Sequence, residues 1–431
     1  MLDDTDTRLE CVAEGLSFPT SLTFDDAGRA YVAEAGLPFG GAAPGGRVWR
    51  IASDGGRTLV AEKLRPPVNG LTFHEGGLYV SEGGHPGRIS RFDLDGGQQT
   101  VILDNLPGPG NYHTNMVAFG PDGKLYFSQG AMTNTGIVGL DAYELGWLRR
   151  LPHAHDLPGY DIVLAGGNVE TANPLIDEPG ARTRTGAFAP FGMPTEAGQR
   201  VPAHLPCTAA VMRCNPDGSE LELVAWGLRN AYALGFMPDG RLLTIDQGAD
   251  DRGSRPVGNV PDLLFEVRQG AWYGWPDFIG GDPITDAQYQ PTRGAAPTFV
   301  LANHDELPAP ERALLCFPPH AAAVKFAVAP ASIPRYAGHI YVALFGDEAP
   351  MTAPPGPRVG RGVARIDPGD WSLHPVVTGP LARPIDVRFD PVGEMLYMLD
   401  FGRFEMREGG GVAAEAKSGR LWRLQLTPMG R

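Results

Sequence analysis

The sequence predicts an all-β chain closed into a six-bladed propeller. Three observations carry this: a phrase that recurs six times, a closing strand that recurs beside it, and a turn-rich composition that keeps a full apolar share. There are 58 Gly and 41 Pro among 431 residues, yet 42% of the residues are hydrophobic. A disordered Gly/Pro-rich chain lacks that apolar content, so many short strands joined by many turns is the better inference. The length exceeds that of an ordinary single domain. A propeller accommodates it as one domain, residues 1–431, because each blade buries its faces against the next and the core grows around a ring.

The recurring phrase is an apolar strand, a turn with Asp or Gly, an aromatic-rich strand, then an acidic or amide residue and Gly. It reads SLTFDDAGRAYVAEAG at Ser21–Gly36, GLTFHEGGLYVSEGG at Gly70–Gly84 and MVAFGPDGKLYFSQG at Met116–Gly130. It returns as ALGFMPDGRLLTIDQG at Ala233–Gly248 and DVRFDPVGEMLYMLDFG at Asp386–Gly402, with a weaker copy at Val324–Gly346. Each copy alternates apolar and polar residues at period two around a Gly-containing turn, a hairpin signature. Closing strands follow as GRVWRI (Gly46–Ile51), GRISRF (Gly87–Phe92), GRGVARI (Gly360–Ile366) and GRLWRL (Gly419–Leu424).

Two stretches interrupt the pattern. Residues 132–206 lie between the middle and outer strands of the third blade, and residues 272–315 precede the fifth. The first contains a helix-compatible run, GLDAYELGWLRRL, at Gly139–Leu151. Long loops in compact proteins are usually functional, so both are expected to lie as lids over one mouth of the ring.

The formal net charge of -14 argues against a nucleic-acid partner, whose phosphates need clustered Lys and Arg. No stretch reaches the length of about 20 apolar residues needed to span a bilayer. The acidic start, MLDDTD, carries no basic or apolar leader signature. Four cysteines are too few for a disulfide scaffold; Cys207 and Cys214 are close enough for a local bridge, or are buried thiols.

In a propeller the innermost strands line a central channel, and the loops entering them meet at one mouth. Reading that position along the chain gives Thr20, Asn69, His113 with Asn115, Arg229–Asn230, His320, and Arg383 with Asp386. Polar groups are costly to gather in a dry channel, and such gatherings mark functional sites. The segment DQGADDRGSRPVGNVPD (Asp246–Asp262) adds three carboxylates, Asp250, Asp251 and Asp262, in a Gly/Pro loop that suits a hard cation or a solvated turn. His113 and His320 with a carboxylate would also suit a transition metal.

At these residues the sequence resembles the soluble glucose/sorbosone-dehydrogenase family, which oxidises sugars with pyrroloquinoline quinone (PQQ). GNYHTNMVAFGPDGKLYFSQG resembles the family's blade bearing the catalytic base, and GLRNAYALGFMPDGRLLTIDQGADD resembles its Gly-x-Arg-Asn motif. GAWYGWPDF (Gly270–Phe278) resembles its Asn-Tyr-Gly-Trp-Pro signature. The resemblance implies His113 as general base, with Arg229 and Asn230 on the quinone. It implies Gly248 and Ala249 as the carbonyls that hold Ca²⁺, with Asp250 beside them. Asn69, His320, Arg383 and Arg361 are implied as further cofactor contacts. It also implies a small-molecule sugar or aldehyde substrate, an external electron acceptor, and a periplasmic or secreted location, with a cytoplasmic one open. The chemistry suits the residues, since a neutral imidazole can take a hydroxyl proton and arginine forks suit carboxylates.

The sequence departs from the family at Gly360, where a Lys is expected, at Ile385, where a second Arg is expected, and at Tyr112, where an acid is expected. Arg361, Lys325 and Arg335 are the candidate replacements. Two other readings stand beside the dehydrogenase: a hydrolase or lyase using a channel metal, and a non-catalytic carbohydrate-binding propeller.

Overall fold

The computed structural model describes residues 9–94, 97–108, 110–407 and 411–426. Six antiparallel sheets follow one another around a ring, each running from an inner strand at the channel to an outer strand at the rim. The inner strands are Pro19–Phe24, Val68–His74, Thr114–Phe119, Ala231–Phe236, Ala323–Val328 and Pro384–Phe389, in blades 1 to 6. Each coincides with the first half of a copy of the recurring phrase, and the Gly-Arg strands predicted to close the blades form the third strand of blades 1, 2, 5 and 6.

The ring is closed by the N-terminus. Strand Leu9–Leu16 pairs antiparallel with Gly419–Gln425 and supplies the outer strand of blade 6. Its Leu16 is fully buried in the cluster that spans blades 1, 5 and 6. Blades also lock to one another along the channel. The Leu22 N–H donates to Asp386 Oδ2 at 2.8 Å, and the Leu71 N–H to Ser21 Oγ at 3.1 Å. Burying such polar side chains is tolerable because each finds a partner on the next blade.

The acidic or amide residue that ends each phrase has a structural duty. Glu34 accepts the Ser17 N–H at 2.6 Å, Glu82 accepts that of Arg65 at 2.7 Å, and Asp400 accepts those of Ala382 and Arg383, both at 2.8 Å. Asp246 does the same for Arg229 and Asn230, at 3.2 and 2.6 Å. These side chains pin the loop entering each inner strand, the same loop that builds the mouth.

The first insertion is less helical than expected. The helix-compatible run forms only Leu140–Glu144, because Gly146 takes a left-handed φ of 81° and ends the turn. The first insertion reaches the mouth through Asn134 and Leu145. The second lies against the same mouth: Tyr273, Trp275 and Phe278 wall a small cavity together with Arg229, Gly248 and Ala249. The Ala271–Trp272 strand adds a fifth, parallel strand to blade 3, and Leu315–Cys316 is the outer strand of blade 4. Between them Thr292 donates from backbone and side chain to Asp251 Oδ2, at 2.8 and 2.5 Å, and Arg293 donates to the Met351 carbonyl at 3.0 Å, so this insertion also ties down the loops around the mouth. Cys207 and Cys214 are separate, buried thiols. Among the described residues no helix is long and apolar enough to cross a membrane.

Candidate active site at the channel mouth

Two adjoining cavities of about 200 and 260 Å³ open at the mouth and share Asn111, Tyr112, Gln247, Ala322 and Glu348 as walls. Most of the residues singled out in the sequence are here. His113, Asn69, Asn115 and Asn230 line one cavity, while Arg229, Gly248, Ala249, Asp250 and His320 line the other.

The first cavity has a continuous row of amides. Asn69 Nδ2 donates to Asn115 Oδ1 at 3.1 Å, Asn115 Nδ2 to Asn230 Oδ1 at 2.8 Å, and Asn230 Nδ2 to Gln247 Oε1 at 2.7 Å. Gln247 Nε2 then donates to the Ala323 carbonyl at 3.3 Å, so the row crosses from blade 2 to blade 5. A chain of amides polarises along its length and fixes the direction of every member. Above it stands His113. Gly83 lets the ring sit close, since a Cβ there would meet His113 Cβ at 2.6 Å. Burial drives the His113 pKa down to about 4, against the opposing pull of the Gly83 carbonyl. Its Nδ1 has no partner among the described residues. The result is a neutral imidazole in the wall of a polar cavity, with its Nδ1 sealed inside the protein.

The second cavity is built around the Arg229 guanidinium, which is only 3% exposed. It is surrounded by oxygens: the Asn134 carbonyl at 3.1 Å and Oδ1 at 2.7 Å, the Gln247 carbonyl at 3.0 Å and Asp250 Oδ2 at 2.8 Å, together with the Gly248 carbonyl and the Tyr112 hydroxyl. Its carbon lies 4.3 Å from the centre of the Tyr112 ring. Asp250 also accepts Arg252 Nε at 2.9 Å; burial pushes its carboxyl up, but the two arginines overcome this and hold it below the usual range. Arg252, from the same loop, is buried and lines the cavity, with Nη1 in an ion pair with Asp141 Oδ2 at 3.9 Å.

The three carboxylates of the 246–262 loop do not converge on one point. Asp250 serves the arginines, Asp251 takes Thr292, and Asp262 pins the N–H groups of Gly248 and Ala323 at 3.0 and 2.6 Å. Burial raises Asp262 to about 6 and Asp246 to about 7. His113 and His320 lie in different cavities, and no group of three or more His, Cys, Asp or Glu poised for a metal occurs among the described residues.

Two predicted cofactor contacts lie outside both cavities. Arg383 is fully buried behind Phe345, 4.9 Å from its ring centre, and donates to the Gly346 and Asp347 carbonyls at 2.9 and 2.7 Å and to Glu405 at 2.8 Å. Arg361 is turned to the same Glu405, at 2.9 Å. The aromatic side chain blocks what the position before the inner strand would otherwise present. Ile385 does line the first cavity, as an apolar wall. Lys325, within its inner strand, is fully buried and donates to the Thr20 carbonyl at 2.7 Å and to that of Asn69. Burial lowers its pKa to about 7. It ties blade 5 to blades 1 and 2 rather than facing the mouth. Glu348 was also missed: it lies two residues past Gly346, where the weaker copy of the phrase ends.

No family model and no curated protein matches the chain. Solved structures do. The PQQ-bound aldose sugar dehydrogenase of Streptomyces coelicolor superposes with a TM-score of 0.58 at 16% identity, over 97% of this chain and 98% of that one. The holo PQQ domain of pyranose dehydrogenase from Coprinopsis cinerea gives 0.57 at 14%, over 98% and 96%. The calcium structure of a carbohydrate-active enzyme from Trichoderma reesei gives 0.55 at 16%, over 98% and 96%. The resemblance read from the sequence thus holds at the level of the fold: this chain is a six-bladed β-propeller similar over nearly its whole length to soluble PQQ sugar dehydrogenases.

Proposed function

We propose that the protein is a dehydrogenase of a sugar or related hydroxylated compound, working with PQQ and Ca²⁺, in which His113 takes the hydroxyl proton. The observation that carries this is the His113 imidazole, held neutral in the wall of a cavity whose other polar wall is a fixed row of amides. A base must be unprotonated at working pH and within reach of the substrate; His113 is neutral and lines the cavity.

The donor set at the neighbouring turn suits the cofactor. The oxygens that surround Arg229 are the hard, neutral and anionic ligands that Ca²⁺ takes, with the guanidinium standing as the cation among them. Gly248, Ala249 and Asp250 would hold the metal. Arg229, released from those oxygens, Arg252 and Asn230 would hold the quinone; Arg252, which lines the cavity, supplies a cation where Gly360 and Ile385 do not. When bound, the quinone accepts the two electrons and the cation polarises it as a Lewis acid. The chain's own residues bind the substrate along Asn69 and Asn115, orient its hydroxyl and receive its proton at His113. On this reading electrons leave to an external acceptor, and the protein works in the periplasm or outside the cell.

The test is reconstitution of purified protein with PQQ and Ca²⁺ and measurement of dye reduction over a panel of sugars and alcohols. Reduction that depends on PQQ, Ca²⁺ and His113 is the expected result. No reduction with any substrate, although the quinone is bound, would remove the assignment.

A further inference from the structure

The cavity that holds His113 has two unlike flanks. One is the amide row. The other, contributed by blades 1, 5 and 6, is apolar: Leu37, Phe39, Phe345, Ile385, Phe401 and Phe404. The rings form one packed patch, with centroids 5.4 Å apart for Phe401–Phe404 and Phe345–Phe401 and 5.5 Å for Phe39–Phe404. This patch is what turns cationic chemistry away from the cavity, since Arg383 lies behind Phe345 and donates elsewhere. At the seam of the two flanks stands Glu348, half-buried and lining both cavities; its carbonyl accepts the Met351 N–H at 3.1 Å, while its carboxyl, raised to about 7 by burial, takes no hydrogen bond or ion pair among the described residues.

We infer that the substrate is an uncharged, amphipathic hydroxyl compound: its hydroxyl-bearing end lies along His113 and the amides, and an aryl or alkyl flank lies on the Phe39–Phe345–Phe401–Phe404 patch. The inference rests on the mouth being the substrate site of the dehydrogenase proposed above. A free sugar would cover the amides but leave the phenylalanine patch wet. An apolar substituent in such a pocket changes affinity by roughly tenfold or more, because the patch is desolvated only when it is covered. A carboxylate ligand would lose its hydration against this patch with no unspent cation in the same cavity to offset it.

The test is calorimetric titration of the whole purified protein with D-glucose, 4,6-O-benzylidene-D-glucose and D-glucuronate, which needs no turnover. The benzylidene derivative should bind about tenfold or more tightly than glucose, and glucuronate more weakly than either. Phe39→Ala, at a half-buried position, and Phe401→Ala, in the packed patch, should both shrink the benzylidene advantage. Equal affinity for glucose and its benzylidene derivative, preferential binding of glucuronate, or binding of none of the three would overturn the inference. Benzylidene-selective binding without dye reduction would instead uphold it while counting against the dehydrogenase.

Discussion

Asn115 Nδ2 donates to Asn230 Oδ1 across the boundary between blades 3 and 4, at 2.8 Å. Asn115 also accepts from Asn69 of blade 2, so this one side chain holds three blades in register at the point where substrate would lie. Replacing it by Leu strands a donor on Asn69 and an acceptor on Asn230. Such a loss costs about 1–3 kcal/mol of stability, checked by urea unfolding. Substrate affinity should fall with it, because the neighbouring amides lose their fixed direction.

His113→Ala should lower turnover by about 10²–10⁴-fold with little change in substrate binding, read by steady-state kinetics beside calorimetry. Its pH signature is specific. Burial holds the imidazole neutral down to about 4, so the acid limb of kcat/KM due to this base should lie near pH 4 and not near 6.5. Stability follows the same group. The unfolded chain takes the proton first, so stability falls as pH drops from about 6.5 to about 4, a slope that His113→Phe should remove.

Lys325 gives the opposite window. Its folded pKa is depressed to about 7, against 10.5 as the ordinary value. Between these values the unfolded chain holds the extra proton, so stability contributed at this site rises with pH from about 7 upward and is lowest where the ammonium stays charged. Lys325→Met should flatten the rise in Tm over that range. It should also loosen the Thr20 and Asn69 carbonyls, weakening ligand binding without a change in the pH limb set by His113.

Ring closure depends on the N-terminal strand. Leu16→Ala removes a fully buried side chain at the seam of blade 6 and should cost about 2–5 kcal/mol in chemical denaturation. A comparable truncation at exposed Val392, 67% exposed, should cost well under 1 kcal/mol.

Much of this architecture is written in residues that repeat. Glu34, Glu82, Asp246 and Asp400 recur because every blade must pin the loop that enters its inner strand, so periodicity reveals them. The closing strand Leu9–Leu16 is invisible to the same reading, since it is an outer strand and carries no phrase. The position before an inner strand is legible too, and it placed Asn69, His113, Arg229 and Asn230 correctly at the mouth. Side-chain direction is not legible. Arg383 occupies an equivalent position, yet Phe345, distant in sequence, decides that it points away. Arg252 and Glu348 lie past the ends of the recurring phrases, where only the folded chain shows what they face. What the second insertion pairs with is not legible for a similar reason: its strand pairing, at Ala271–Trp272 and Leu315–Cys316, is non-local.

The most direct measurement is an absorbance titration of the purified protein with PQQ in the presence of Ca²⁺. Saturable one-to-one binding is expected, lost on chelation of Ca²⁺, abolished in Arg229→Ala and weakened in Arg252→Leu, whose guanidinium lines the same cavity. No spectral change with Ca²⁺ present, in protein shown to be folded by its cooperative unfolding, would contradict the central claim that this mouth is a quinone-dependent dehydrogenase site.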